Sequence, residues 1–163
     1  MFVKADLLAF AGLALGFSAM TTRIEAAREA SAELLAALTA LLPQLNPNLP
    51  APTSEHLAVL LDDPGATLLI ARDGDAIVGT ALVIVYPTTL RVESRIEDVV
   101  VDGAARGRGI GEALIRECIE VARRRGASIV ELQTARVRVA ANRLYERMGF
   151  ERRDSNPYRM TLR

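Results

Sequence analysis

Three glycines stand at alternate positions in RGRGIG, Arg106 to Gly111, with arginines before the first two. The stretch follows IEDVVV, Ile96 to Val101, a run rich in strand formers. It opens a run, Ile110 to Arg125, whose apolar residues Ile110, Ala113, Leu114, Cys118, Val121 and Ala122 recur at helical spacing. The first N–H groups of a helix have no partner inside it and lie at the positive end of its dipole, so they bind anions. Gly107, Gly109 and Gly111 offer bare backbone at that point, which lets a phosphate approach closely, and Arg106 and Arg108 add charge beside it. A glycine-rich turn also serves tight strand-to-helix packing, and the glycines by themselves favour neither reading. Two phosphate motifs are excluded residue by residue. A GxGxxG fingerprint from Gly107 needs glycine where Glu112 stands, and Gly-Lys-Ser/Thr is absent.

The other candidates are sparse. Glu97 and Asp98 are adjacent on a strand, so only one points to a given face unless a bulge exchanges them. Tyr145, read alone, is an amphipathic core tyrosine of a terminal helix. Cys118 falls on an apolar helix face and reads as core, and His56 reads as a solvated helix residue. Arg123, Arg124 and Arg125 precede Gly126 and complement a helix C-terminus. One cysteine and one histidine give no cluster with zinc-ligand spacing and no internal disulfide.

The elements that must position these residues follow in order. Thr22 to Ala26 reads as a short strand, Ala27 to Leu42 as an amphipathic helix stopped by PQLNPNLPAP, and SEHLAVLLDD as a second helix capped by Thr53. ATLLIARDGDAIVGTALVIVY is two β-rich runs joined at Asp73-Gly74, a hairpin signal. Arg91 to Val101 is a third strand, SIVELQT a further strand, VRVAANRLYERMG a helix ended by Gly149, and Phe150 to Leu162 a returning strand. An antiparallel hairpin ahead of one strand-helix-strand unit predicts an α/β (α+β) fold with a mixed, mostly antiparallel central sheet.

The 163 residues, 50% hydrophobic and 25% charged, suit one soluble globular domain. Twenty basic and twenty acidic side chains cancel, so a nucleic-acid partner is not expected. Residues 1–19 form an apolar extension. It is too short and interrupted for a membrane span, has the outline of a signal peptide, and is read first as an extension of the domain and third as a helix packed on a partner subunit. The domain proper is expected over 20–163.

Arg106, Gly109 and Gly111 after a hydrophobic strand match the pattern Arg/Gln-x-x-Gly-x-Gly/Ala, and AANRLYERMGFERR matches A-x-x-L/F-Y-x-x-x-G-F further on. By these two motifs the chain resembles the GNAT superfamily of acyl-CoA-dependent N-acetyltransferases over about Thr22 to Leu162. The resemblance implies acetyl transfer from acetyl-CoA to a primary amine, on a small molecule or on a protein or peptide, by direct attack in a ternary complex. It implies a splayed strand around Val99, Val100 and Val101 that pairs with the pantetheine arm. It implies a pyrophosphate seat on the amides of Gly107, Arg108, Gly109, Ile110 and Gly111, flanked by Arg106. Tyr145 matches the family's general acid, and Glu97, ahead of Asp98 or a water chain, is the expected base. Where the family often carries asparagine ahead of the tyrosine this chain has Arg138, leaving Asn142 as a substitute contact. A cytoplasmic location and a homodimer accompany this reading. A catalytically silent acyl-CoA-binding module is the competing class.

Overall fold

The computed structural model of the protein describes residues 22–48 and 50–162; the expectations for residues 1–19 lie outside the described residues. Five strands and four helices follow in the order β1 (Arg23–Ala26), α1 (Ala32–Leu45), α2 (Ser54–Asp62), β2 (Ala66–Asp73), β3 (Ala76–Pro87), β4 (Val92–Val101), α3 (Ile110–Arg124), β5 (Ile129–Leu132) and α4 (Val139–Arg147). A single 3-10 turn, Gly103–Ala105, lies between β4 and α3.

The strands form one sheet in sequence order, antiparallel from β1 to β4 and parallel between β4 and β5. The expected mixed, mostly antiparallel sheet is present. Alternation along β2 sends Leu69 and Ala71 to one face and Leu68 and Ile70 to the other. The first face packs against α3 through Leu114, Ile115, Cys118 and Ala122, all fully buried. The second packs against α1 and α2 through Leu34, Leu38 and Leu57. A sheet covered on both faces can bury its central strands completely, and Val83 and Ala81 of β3 are accordingly at zero exposure.

Two element boundaries differ from the sequence reading. Helix α1 starts at Ala32 because the Ser31 hydroxyl accepts from the Leu34 N–H at 3.2 Å, and it runs past Pro43 to Leu45. Residues 151–162 are not a strand: they are exposed and irregular, and they pair with no strand of the sheet. Only Phe150, at the head of that segment, packs into the core.

Candidate active site

β4 and β5 pair from Glu93 with Ile129 to Ile96 with Leu132 and no further, so Glu97 to Val101 have no strand partner on that side. On its other side β4 stays paired with β3, but the register jumps: Leu82 faces Glu97 while Thr80 faces Val100. One residue of β3 thus opposes two of β4, which is a β-bulge. Its centre is Asp98, at φ 51° the only non-glycine residue of positive φ among the described residues. The bulge follows directly on the end of the β4–β5 pairing. Val99 and Val101 are half-buried against the α3-side core, and Val100 is buried.

Beyond Val101 the chain is tied down at several points. The Asp102 N–H donates to the Val78 carbonyl, and the Asp102 carboxylate accepts from the Ala104 N–H at 2.9 Å. Gln44, at the end of α1, donates from Nε2 to Asp102 Oδ2 at 2.9 Å, and its Oε1 accepts from the Gly103 N–H at 3.0 Å and from the Arg106 guanidinium at 3.4 Å. Arg106 Nε in turn donates to the Val101 carbonyl at 3.0 Å, using one of the main-chain groups at the end of the splayed strand. Arg108 Nη1 lies 2.6 Å from Asp73 Oδ2 in the β2–β3 hairpin. That guanidinium holds the Asp73 carboxyl below the usual carboxylate range, and the other oxygen, Oδ1, is buried without a partner. Both arginines therefore stand beside the loop, each already engaged by the protein.

Gly107 and Gly109 adopt φ 76° and 79°, left-handed values that favour glycine, and the space beside both is open. Gly111 differs: a Cβ there would meet Leu144 and Val101 side chains at ordinary contact distances. α3 has Gly109 as its N-cap and no side-chain cap, and its first helical hydrogen bond is Ala113 N–H to Gly109 carbonyl at 3.0 Å. The N–H groups of Ile110, Gly111 and Glu112 have no acceptor among the described residues. The start of α3 is thus uncapped, at the glycine run read from the sequence. Gly79 lets β3 approach it closely, since a Cβ there would lie 3.1 Å from the Val100 carbonyl and 3.3 Å from Leu114.

Tyr145 is half-buried on α4 and meets Phe150 edge to face at 5.9 Å. The contact follows from how α4 ends. Gly149, at φ 90°, turns the chain so that the Phe150 N–H reaches the Tyr145 carbonyl and the Gly149 N–H the Glu146 carbonyl, a Schellman motif. Burial raises the Tyr145 pKa, the Arg138 charge opposes that, and Cys118 adds to it; the phenol holds its proton at neutral pH. Arg138 donates to the Leu45 carbonyl, joining the start of α4 to the end of α1. Asn142 Nδ2 donates to the carbonyls of Ala135 and Arg138 at 3.0 and 2.9 Å, so its amide nitrogen braces the loop ahead of α4.

Of the two acids, Glu97 is half-buried and ion-paired with Arg95. Asp98, on the bulge, has its carboxyl pushed upward by partial burial and by the Glu97 charge, although the residue as a whole is exposed. Cys118 is fully buried and its thiol is pushed up to about 12, which leaves no thiolate for nucleophilic work. A cleft of about 310 Å³ between β1, β2 and the C-terminal half of α3 contains none of these residues. The sequence did not point to Gln44 or Asp73 as parts of this corner. Asp73 was legible only as a turn residue, and nothing in the Pro-rich stretch marks Gln44.

The Acetyltransferase (GNAT) family model matches residues 35–150. N-acetyltransferase 8B of Rattus norvegicus is 34% identical over 94 residues, 56% of this chain and 42% of that protein, so the chain spans under half the length of that relative. A putative acetyltransferase from Agrobacterium tumefaciens superposes with a TM-score of 0.76 at 30% identity, covering 85% of this chain and 99% of the other. An aminoglycoside acetyltransferase from an uncultured soil metagenomic sample shares the fold, with a TM-score of 0.78 at 24% identity over 87% of this chain and 97% of that one. With the splayed strand, the uncapped helix and a family match over most of its length, the chain belongs to the GNAT acetyltransferase family.

Proposed function

We propose that the protein is an N-acyltransferase that moves an acetyl group from acetyl-CoA to a primary amine by direct attack in a ternary complex, with residues 20–163 as the catalytic domain. The observation that carries this reading is the loss of β4–β5 pairing after Ile96, followed directly by the acceptor-free amides at the start of α3. Unpaired main-chain groups suit the amide-bearing arm of the donor, and bare N–H groups at a helix start suit its diphosphate. Val99 and Val101 would hold the first, and Gly107 to Gly111 the second. Arg106 and Arg108 lend charge beside it while remaining tethered to Val101 and Asp73.

Acetyl-CoA supplies an acyl carbon joined to a sulfur leaving group. In the transfer the new C–N bond forms, the C–S bond breaks, one proton leaves the amine and one is delivered to sulfur. Tyr145 is the donor to sulfur in this proposal, since its phenol stays protonated at neutral pH. The amine's proton goes to the Glu97–Asp98 pair or to water. Glu97, the expected base, is ion-paired with Arg95, while the Asp98 carboxyl beside it is pushed upward by partial burial and by the Glu97 charge. The acceptor side favours a cationic amine: Arg91 and Arg95 are both paired with glutamates, while Asp98 has no ion-pair partner among the described residues. A cytoplasmic location goes with the donor.

Thiol release from acetyl-CoA, followed across a panel of small-molecule and peptide amines, tests the reading. Turnover with at least one amine, together with a rise in melting temperature on adding acetyl-CoA alone, is the expected result. A melting temperature unmoved by saturating acetyl-CoA would remove the site. A rise without turnover on any amine would leave an acyl-CoA-binding module.

A further inference from the structure

Arg138 is a half-buried cation that forms no ion pair among the described residues. It stands at the cap position of α4, and its guanidinium donates to the carbonyl of Leu45, the last residue of α1. The mooring has an electrostatic reason. A helix ends on free carbonyls and the negative pole of its dipole, and α1 has no basic residue of its own in its last turn. The two helices lie on opposite faces of the sheet, α1 with Leu68 and Ile70, α4 through Leu144 and Tyr145 with Leu69 and Ala71. Gln44 fixes the same end of α1 to Asp102 and Gly103, just past β4. The Arg138 bond therefore joins the two faces at the end of β4 that has already lost β5.

Tyr145 follows Arg138 by seven residues, two turns, which returns to within about 20° of the same helix face and rises about 10 Å. Side chains on a helix lean toward its N-terminus, so the phenol points back toward that cation. Burial raises the phenol's pKa; of the titratable groups around it, Arg138 on its own helix lowers it and Cys118 on α3 adds to the rise. The Cys118 thiol, pushed up to about 12, is uncharged at neutral pH, which leaves Arg138 as the charge acting on Tyr145 among the described residues.

We propose that Arg138 is a positioning residue of the transfer: moored to the end of α1, it holds a fixed positive charge ahead of Tyr145 and stabilises the phenoxide that Tyr145 becomes on giving up its proton. Tyr145 hands that proton to the departing sulfur, which has taken the electron pair of the C–S bond, and water returns a proton to the phenoxide. Arg138 stays protonated throughout. The inference rests on the reading of Tyr145 as the acid.

The test uses the full chain with Arg138→Met, Arg138→Lys, Tyr145→Phe and the Arg138→Met, Tyr145→Phe double variant. Tyrosinate absorbance against pH, with the Tyr145 transition assigned by its loss in Tyr145→Phe, reads the coupling without any turnover. That transition should move to higher pH in Arg138→Met and stay near the parent's in Arg138→Lys. With acetyl-CoA and an amine that turns over, Arg138→Met should lower kcat on the order of ten-fold at unchanged KM for acetyl-CoA, and Arg138→Lys should restore most of it. The double variant should be no slower than Tyr145→Phe, since the charge has lost the group it acts on. A Tyr145 transition unmoved by Arg138→Met, or an equal further loss of kcat in the Tyr145→Phe background, would reduce Arg138 to a cap of α1. A transition that moves as expected while Tyr145→Phe turns over at the parent rate would remove Tyr145 as the acid, and the role of Arg138 with it.

Discussion

Among the described residues, main-chain hydrogen-bonding groups are left open where β4 leads into α3 and at the outer edge of β5, and the surroundings of the two could hardly differ more. At the corner where β4 leads into α3, the open groups are framed by Gln44, Arg106, the Arg108–Asp73 pair and a close-packed helix start over Gly79. At the outer edge of β5 no strand stands alongside among the described residues, and along residues 151–162 the side chains stand in solvent. A fixed frame pre-organises open groups for a small ligand, whereas open groups on an exposed segment are satisfied by water. The same deficit of hydrogen bonds is thus held in a fixed frame in one region and met by solvent in the other.

Substitutions that act on one region and spare the other test this contrast. The largest effect is expected from Gly109→Val, which forces a β-branched residue to φ 79° and puts a side chain over the bare amides. Strain of this kind costs about 1–3 kcal/mol, and acetyl-CoA affinity measured by calorimetry should fall far more than that loss of stability alone would account for. A variant that melts lower but binds the donor normally would make the glycine a turn residue and nothing else. Next comes Tyr145→Phe, which keeps the ring against Phe150 and removes only the proton. The turnover number should fall on the order of 100-fold with little change in KM for acetyl-CoA. Because burial holds the phenol's pKa above its ordinary value near 10, the parent enzyme should show no tyrosine-linked loss of rate up to about pH 10.

A smaller effect is expected from Asp73→Asn. The Asp73 carboxyl is held below its unfolded value by Arg108, so its contribution to stability is present above the unfolded pKa and is lost as pH falls through the folded one. Melting temperature in the parent should therefore decline below about pH 4 by an amount that Asp73→Asn abolishes. An identical acid profile in the two proteins would show that the Arg108 tether contributes nothing to the frame. The smallest effect is expected from Tyr158→Ser. Replacing a side chain 92% exposed should shift stability within about 0.5 kcal/mol. A larger loss would mean that the tail is packed after all.

What the sequence made legible divides along the same line. Strand, turn and helix signals within a few residues of one another located the hairpin at Asp73-Gly74, the Thr53 cap and the uncapped start at Gly109. These depend on local backbone preference, which sequence carries directly. The Asp98 bulge has no glycine or proline to announce it; it arises from the register in which β4 meets β3 while parting from β5. Gln44 to Asp102 and Arg108 to Asp73 join residues far apart in the chain, and such pairs follow from packing alone. The tail shows the converse error. Alternation in Tyr158, Met160 and Leu162 marks competence to form a strand, but a strand also needs a neighbour, and period two says nothing about whether one is present.

The grip of Gln44 has a consequence for the order of events at the site. Its amide joins the tail end of α1 to both the carboxylate of Asp102 and the N–H of Gly103. A ligand that shifts this end of the helix must drag the loop ahead of α3 with it or tear those bonds. Occupancy on one side would then alter affinity on the other, and by thermodynamic reciprocity to the same degree in each direction.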